Sequence, residues 1–111
     1  MRFTEREREI IKKARDRIAD PEHWCIDDLA RTRDGAACHI NDPHATRFCA
    51  TGALAFALFQ LTGDESEAVT QATRLGNLIM GGSKFGLGRI NDKSGHEVVL
   101  AILDHAVKRS S

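Results

Sequence analysis

Cys49, Asp92 and His96 are the residue types of a small thiol hydrolase or transferase, and they occur in the order Cys–Asp–His. Such an enzyme attacks with a thiolate, stabilised by a paired imidazole or a helix N-terminus, while a carboxylate or amide orients the ring. Asn91 is an alternative orienting group beside Asp92. The flanking residues argue against this chemistry. Asp42-Pro43 predicts a helix start, with Asp42 as N-cap and Pro43 at the first helical position. Cys49 would then lie near the seventh position, beyond the field of the terminus. Free cysteine is among the most buried residue types. Cys49 also heads the most apolar run in the chain, RFCATGALAFAL. A packed core thiol is the favoured reading and no catalytic residue is assigned; Cys49, His96 and Asp92 stand as the enzymatic alternative.

Cys25, Cys38, His39 and His44, with His23 and Cys49 close in sequence, supply zinc-ligand types. Structural zinc sites take close pairs such as C-x-x-C or H-x-x-x-H. Neither pair occurs, so a zinc-stabilised module is a third reading and no cofactor is expected. The glycine-rich stretch Gly81–Gly88 runs Gly82-Ser83-Lys84, out of order for a phosphate-binding P-loop, and Gly86-Leu87-Gly88 lacks the third glycine of a dinucleotide fingerprint at Asn91. It reads as a connector, which can still carry binding. Asp27-Asp28 are adjacent and would diverge in regular structure. Trp24, Arg31, Asn91 and Asp92 remain as candidate binding residues, within a loop wall formed by residues 25–41 and 81–95.

The elements that must hold these residues are mostly helical. Thr4 and Glu7 form a capping box before Ile10, Ile11, Ala14 and Ile18 at helical spacing. Asp20-Pro21 ends that helix and can cap a further turn leading to Trp24. Asp34-Gly35 is a tight-turn signal whose flanks, 29–33 and 36–40, form a short hairpin or an irregular loop. From Asp42 a helix runs to about Leu61 and stops at Thr62-Gly63. It is apolar around nearly its whole circumference, which places it at the centre. A third helix spans Glu65 to Met80. Ser94 and Glu97 suggest a capping box for a last helix, with Val98, Val99, Ile102, Leu103, Ala106 and Val107 facing inward. His105 lies on its outer side. The expected fold is one mainly α domain, residues 1–111, a compact bundle of about four helices around a central buried helix.

Composition narrows the function. Sixteen basic and sixteen acidic residues cancel, which disfavours a nucleic-acid binder needing a one-sided basic field. The longest apolar run falls far short of the ~20 residues of a membrane span, and the charged N-terminus does not read as a signal peptide. Three cysteines cannot all pair within one chain, in keeping with a reducing cytoplasm.

One series of motifs carries a resemblance. Asp20-Pro21-Glu22-His23-Trp24-Cys25, Ala30-Arg31, Asp34-Gly35, Asp42-Pro43-His44-Ala45, Phe48-Cys49-Ala50-Thr51-Gly52-Ala53-Leu54, Asn91-Asp92 and Glu97–Ala106 follow in order. Together they resemble a family of small uncharacterised bacterial and bacteriophage proteins, a domain of unknown function. The third helix and the glycine loop lie outside the matched motifs. The resemblance implies a compact domain in a bacterial or prophage context and no known activity. Its members often carry arginine followed by a polar residue where this chain has His96, while Cys38, His39 and His44 fall at unmatched positions. The expected role is a non-enzymatic binding or regulatory module with a protein partner or a second copy of itself.

Overall fold

Thr4 opens the first helix as its spacing predicts. Its hydroxyl accepts the Glu7 N–H at 3.1 Å, and the Glu7 carboxylate accepts the Thr4 N–H at 2.9 Å. The computed structural model describes residues 3–81 and 83–109. In it, α1 spans Glu5–Arg17 and buries Ile10, Ile11 and Ala14, with Ile18 sealed just beyond. Asp20 then caps a single 3-10 turn, Pro21–His23, by accepting the Glu22 N–H at 2.9 Å.

The hairpin alternative is the one formed. β1 (Ala30–Thr32) and β2 (Ala37–Cys38) pair antiparallel across Asp34-Gly35, with Gly35 at φ 91°, a conformation glycine adopts without steric cost. A third strand overturns the expected helix start. Asp42-Pro43 makes a turn in which Asp42 accepts the His44 N–H at 2.8 Å through its carboxylate and the Ala45 N–H at 2.9 Å through its carbonyl. The chain leaves that turn extended, as β3 (Ala45–Phe48), antiparallel to β1 in a sheet of order β2-β1-β3. Capping residues serve turns as well as helices, and here Phe48 and the open edge of β1 decide the outcome. Phe48 is buried beneath the sheet, and β3 satisfies β1's free backbone groups.

The central helix, α2 (Ala50–Thr62), therefore begins eight residues after Asp42, with Cys49 as its N-cap. It stops where expected, at Gly63, whose φ is 71° and whose N–H returns to the Phe59 carbonyl. Ala50, Gly52, Ala53, Leu54, Ala55, Ala57 and Leu58 are buried, and α1 and α3 (Glu65–Ile79) pack against it. The small side chains on α2 let these helices approach closely.

The end of the chain departs from expectation again. Residues 87–94 form α4 (Leu87–Ser94), so the described residues hold five α-helices rather than about four. Ser94 closes α4 instead of capping the next helix, and α5 (His96–Lys108) follows after Gly95 alone, without a side-chain cap. Gly95 sits at φ 94° and ψ 165°, a region open essentially to glycine. This single residue turns the chain between two helices, which a serine cap could not do. Val99, Leu103 and Ala106 are buried as expected, whereas Val98 is exposed. The radius of gyration, 12.7 Å, is that of a compact chain of about this length.

Candidate functional site

Asn91, from α4, is wholly buried and joins three distant segments. Its Oδ1 accepts the Trp24 indole N–H at 2.7 Å and the Ala50 N–H at 2.9 Å. Its Nδ2 donates to the Cys25 carbonyl and to the Asp92 carboxylate, both at 3.1 Å. Two donors and two acceptors are the full capacity of a carboxamide. One side chain thus fixes the face of Trp24, occupies a free N–H at the start of α2 and pins residue 25 to α4.

Above this node lies a cleft of about 470 Å³ lined by Trp24, Ile26, Arg31, Arg47, Asp92 and Lys93, with Cys25 and Gly95. Three of the four sequence-predicted binding residues meet there. Asn91, the fourth, is the support underneath. Asp92 orders the rim by accepting the Asp27 N–H at 3.0 Å, which holds Asp27 at φ 70°.

Arg31 and Arg47 are directly paired across β1 and β3. Like charges opposite one another in a sheet are destabilising. Asp28 relieves one of them, its carboxylate 2.7 Å from Arg31 Nη2, while Arg31 Nη1 donates to the Gly35 carbonyl at 2.9 Å. Arg31 Nε is buried without a hydrogen-bond partner among the described residues. Arg47 donates to the Arg33 carbonyl at 3.4 Å, and neither it nor Lys93 has an ion pair among the described residues.

The alternative catalytic residues have other partners. Cys49 Sγ accepts the Gly52 N–H at 3.2 Å as an N-cap, with 6% of its surface exposed. A helix start ordinarily lowers a thiol pKa. Here burial pushes it up, against the lowering by the Gly52 and Thr51 N–H groups. The His96 ring lies 5.3 Å from that of Trp24, and its Nε2 is 2.6 Å from the Ile18 carbonyl. Asp92 is bound to Asp27 and Asn91.

The candidate zinc ligands are likewise dispersed. Cys25 is buried next to Phe48, whose carbonyl accepts its N–H, and Cys38 lies on β2. His39 pairs with Glu65 at 3.2 Å and His44 with Asp42 at 3.4 Å. Among the described residues, no group of three or more Cys, His, Asp or Glu could hold a metal ion.

The thiols give a direct check. Native protein is expected to lose Cys38 first to iodoacetamide, with Cys25 and Cys49 modified only after denaturation, as peptide mapping would show. Burial, then the neighbouring Cys49, pushes the Cys25 thiol up from 9.0 to about 12. Unfolded Cys25 therefore loses its proton at lower pH than folded Cys25. Its contribution to stability is complete below pH 9.0 and is lost as pH rises toward about 12. Urea titrations at pH 8.5, 9.5 and 10.5 should show stability falling, by at most about 1.4 kcal/mol per pH unit for this thiol, and less steeply in Cys25→Ala.

Ile26 and Lys93 fall within the expected loop wall of residues 25–41 and 81–95 without being singled out, whereas Arg47 lies outside it, because Asp42-Pro43 predicts helix through residue 47. Ala45-Thr46-Arg47-Phe48 reads apolar, polar, polar, apolar, without the alternation that marks a strand, and the structure shows it half-buried, exposed, half-buried, buried. No helix among the described residues is long and apolar enough to cross a membrane. No curated protein and no solved structure matches the chain. The model of a family of unknown function, DUF6197, matches residues 2–109, including the third helix and the glycine loop.

Proposed function

We propose that this chain, which belongs to the DUF6197 family, is a non-enzymatic binding module of the bacterial or prophage cytoplasm that captures an acidic segment of a protein partner. The cross-strand pair of Arg31 and Arg47 carries this reading. The register sets Arg31 opposite Arg47, a pairing of like charges that contributes nothing to the stability of the sheet. Asp28 already pairs with Arg31, so an incoming carboxylate would supply the counter-charge that Arg47 lacks among the described residues. Lys93 adds a third cation to the cleft, and Trp24 and the exposed Ile26 offer an apolar surface beside the charge. An aromatic anchor flanked by arginine is the composition of an interaction hot spot. Asn91 is a positioning residue here, holding Trp24 from below.

Trp24 is the one tryptophan in a chain without tyrosine, so intrinsic emission reports on the cleft directly. A glutamate-rich peptide carrying one leucine is expected to shift that emission saturably, and less so at high salt. Charge reversal at Arg47 and Lys93 together should weaken binding by at least about tenfold. A photo-crosslinker at Ile26 would then identify the partner in extract, a second copy of the chain included. Unchanged emission together with cross-links indifferent to the reversal would refute the assignment.

A further inference from the structure

The Arg17 guanidinium, at the end of α1, lies 4.3 Å over the ring of Phe56 and 5.6 Å from the centre of Phe48. Among the described residues it makes no ion pair within 4.0 Å. Stacking occupies the faces of the guanidinium and leaves its in-plane N–H donors free. It borders a cavity of about 500 Å³ that also holds Lys13, Asp16 and His23, with Ala53, Phe56, Ala57 and Gln60 of α2. Lys13 and Arg17 are one turn apart on the same helix face, a like-charged spacing that destabilises a helix unless an anion lies between them. The single lining carboxylate, Asp16, has Arg15 as its ion-pair partner, at 3.7 Å.

We propose that this pocket binds a small phosphate monoester, independently of the Trp24 cleft. The Arg17 fork takes two phosphate oxygens, and Lys13 and His23 donate to the third. The organic part packs on Ala53, Ala57 and Phe56. Three separate donors match three acceptor oxygens and a charge near −2, where a carboxylate offers two oxygens and one charge. Contact with the Phe56 ring already restricts the guanidinium, which lowers the freedom it loses on binding.

The experiment is a titration of the full chain with phenyl phosphate at constant ionic strength, read from the Arg17 Nε–H signal by nuclear magnetic resonance. A saturable shift is expected. Arg17→Lys keeps the charge and loses the fork, so affinity should fall at least about tenfold. Lys13→Ala, at an exposed position that leaves the core intact, should weaken binding by a smaller factor. Arg47→Glu, in the other cleft, should leave it unchanged, which separates failure here from failure of the partner site. Absence of a saturable shift up to about 10 mM, equal affinity for benzoate, or wild-type affinity in Lys13→Ala would each overturn the assignment.

Discussion

Replacing Gly52 with alanine is expected to lower the melting temperature by at least about 12 °C in a calorimetric scan. Gly52 lies in the first turn of α2, against the Leu29 backbone. A Cβ there would sit 1.8 Å from the Leu29 carbonyl oxygen and 2.7 Å from its carbon. Both atoms are main chain, so no side chain can rotate out of the way. The strand entry must retreat instead, and the bond from the Cys49 N–H to the Leu29 carbonyl, 3.2 Å, opens. Overpacking a core usually costs about 1–3 kcal/mol. A clash between two backbones belongs at or above the upper end, a large part of the roughly 5–15 kcal/mol that holds a domain folded. Gly88→Ala is the control. That glycine is exposed on α4 with its nearest neighbour, Thr51 Oγ1, 4.0 Å from the added carbon. Alanine is the better helix former by about 1 kcal/mol, so Gly88→Ala should be neutral or mildly stabilising. Equal losses in the two variants would remove the steric explanation.

Asn91→Ala is expected to cost about 3–5 kcal/mol in urea denaturation followed by circular dichroism. The substitution strands the Trp24 indole N–H, the Ala50 N–H and the Cys25 carbonyl. Each unpaired buried group costs about 1–3 kcal/mol, less where water reaches it. Trp24→Phe removes only one of these bonds and leaves Asn91 Oδ1 on the Ala50 N–H, so it should cost less than Asn91→Ala. The emission of Trp24 should also move to longer wavelength in Asn91→Ala as water reaches the ring. If Asn91→Ala unfolds with no greater ease than Trp24→Phe, the carboxamide is not the node of this site.

Local chemistry was legible wherever a residue's partners lie within a few positions. The Thr4–Glu7 box and the Gly63 stop form as expected, and the Asp34-Gly35 turn forms the hairpin of the two alternatives, because each closes through short-range bonds. Asp42-Pro43 and Ser94 misled for one physical reason. Both are capping residues, and whether the next residues coil or extend is settled by what waits across the fold. For Asp42 that was the edge of β1. For Ser94 it was the need of Gly95 to turn the chain between α4 and α5. Trp24, Arg31 and Asp92 could be named as polar or aromatic residues on loops, and the structure gathers them around one cleft. Arg47 could not, since its neighbourhood exists only once β3 pairs with β1. The burial of Cys49 followed from its apolar setting, although its place as the N-cap of α2 did not.

The carboxamide of residue 91 reaches back 67 positions to the indole and 41 to the start of α2. Such closures come late in the folding of a chain. During synthesis, everything up to the end of α3 can leave the ribosome while the indole still lacks its anchor. Nascent or truncated chains ending before α4 would carry Trp24, Ile26, Arg31 and Arg47 without Asp92, Lys93 or the Asn91 support, so the proposed recognition would belong only to chains that include α4.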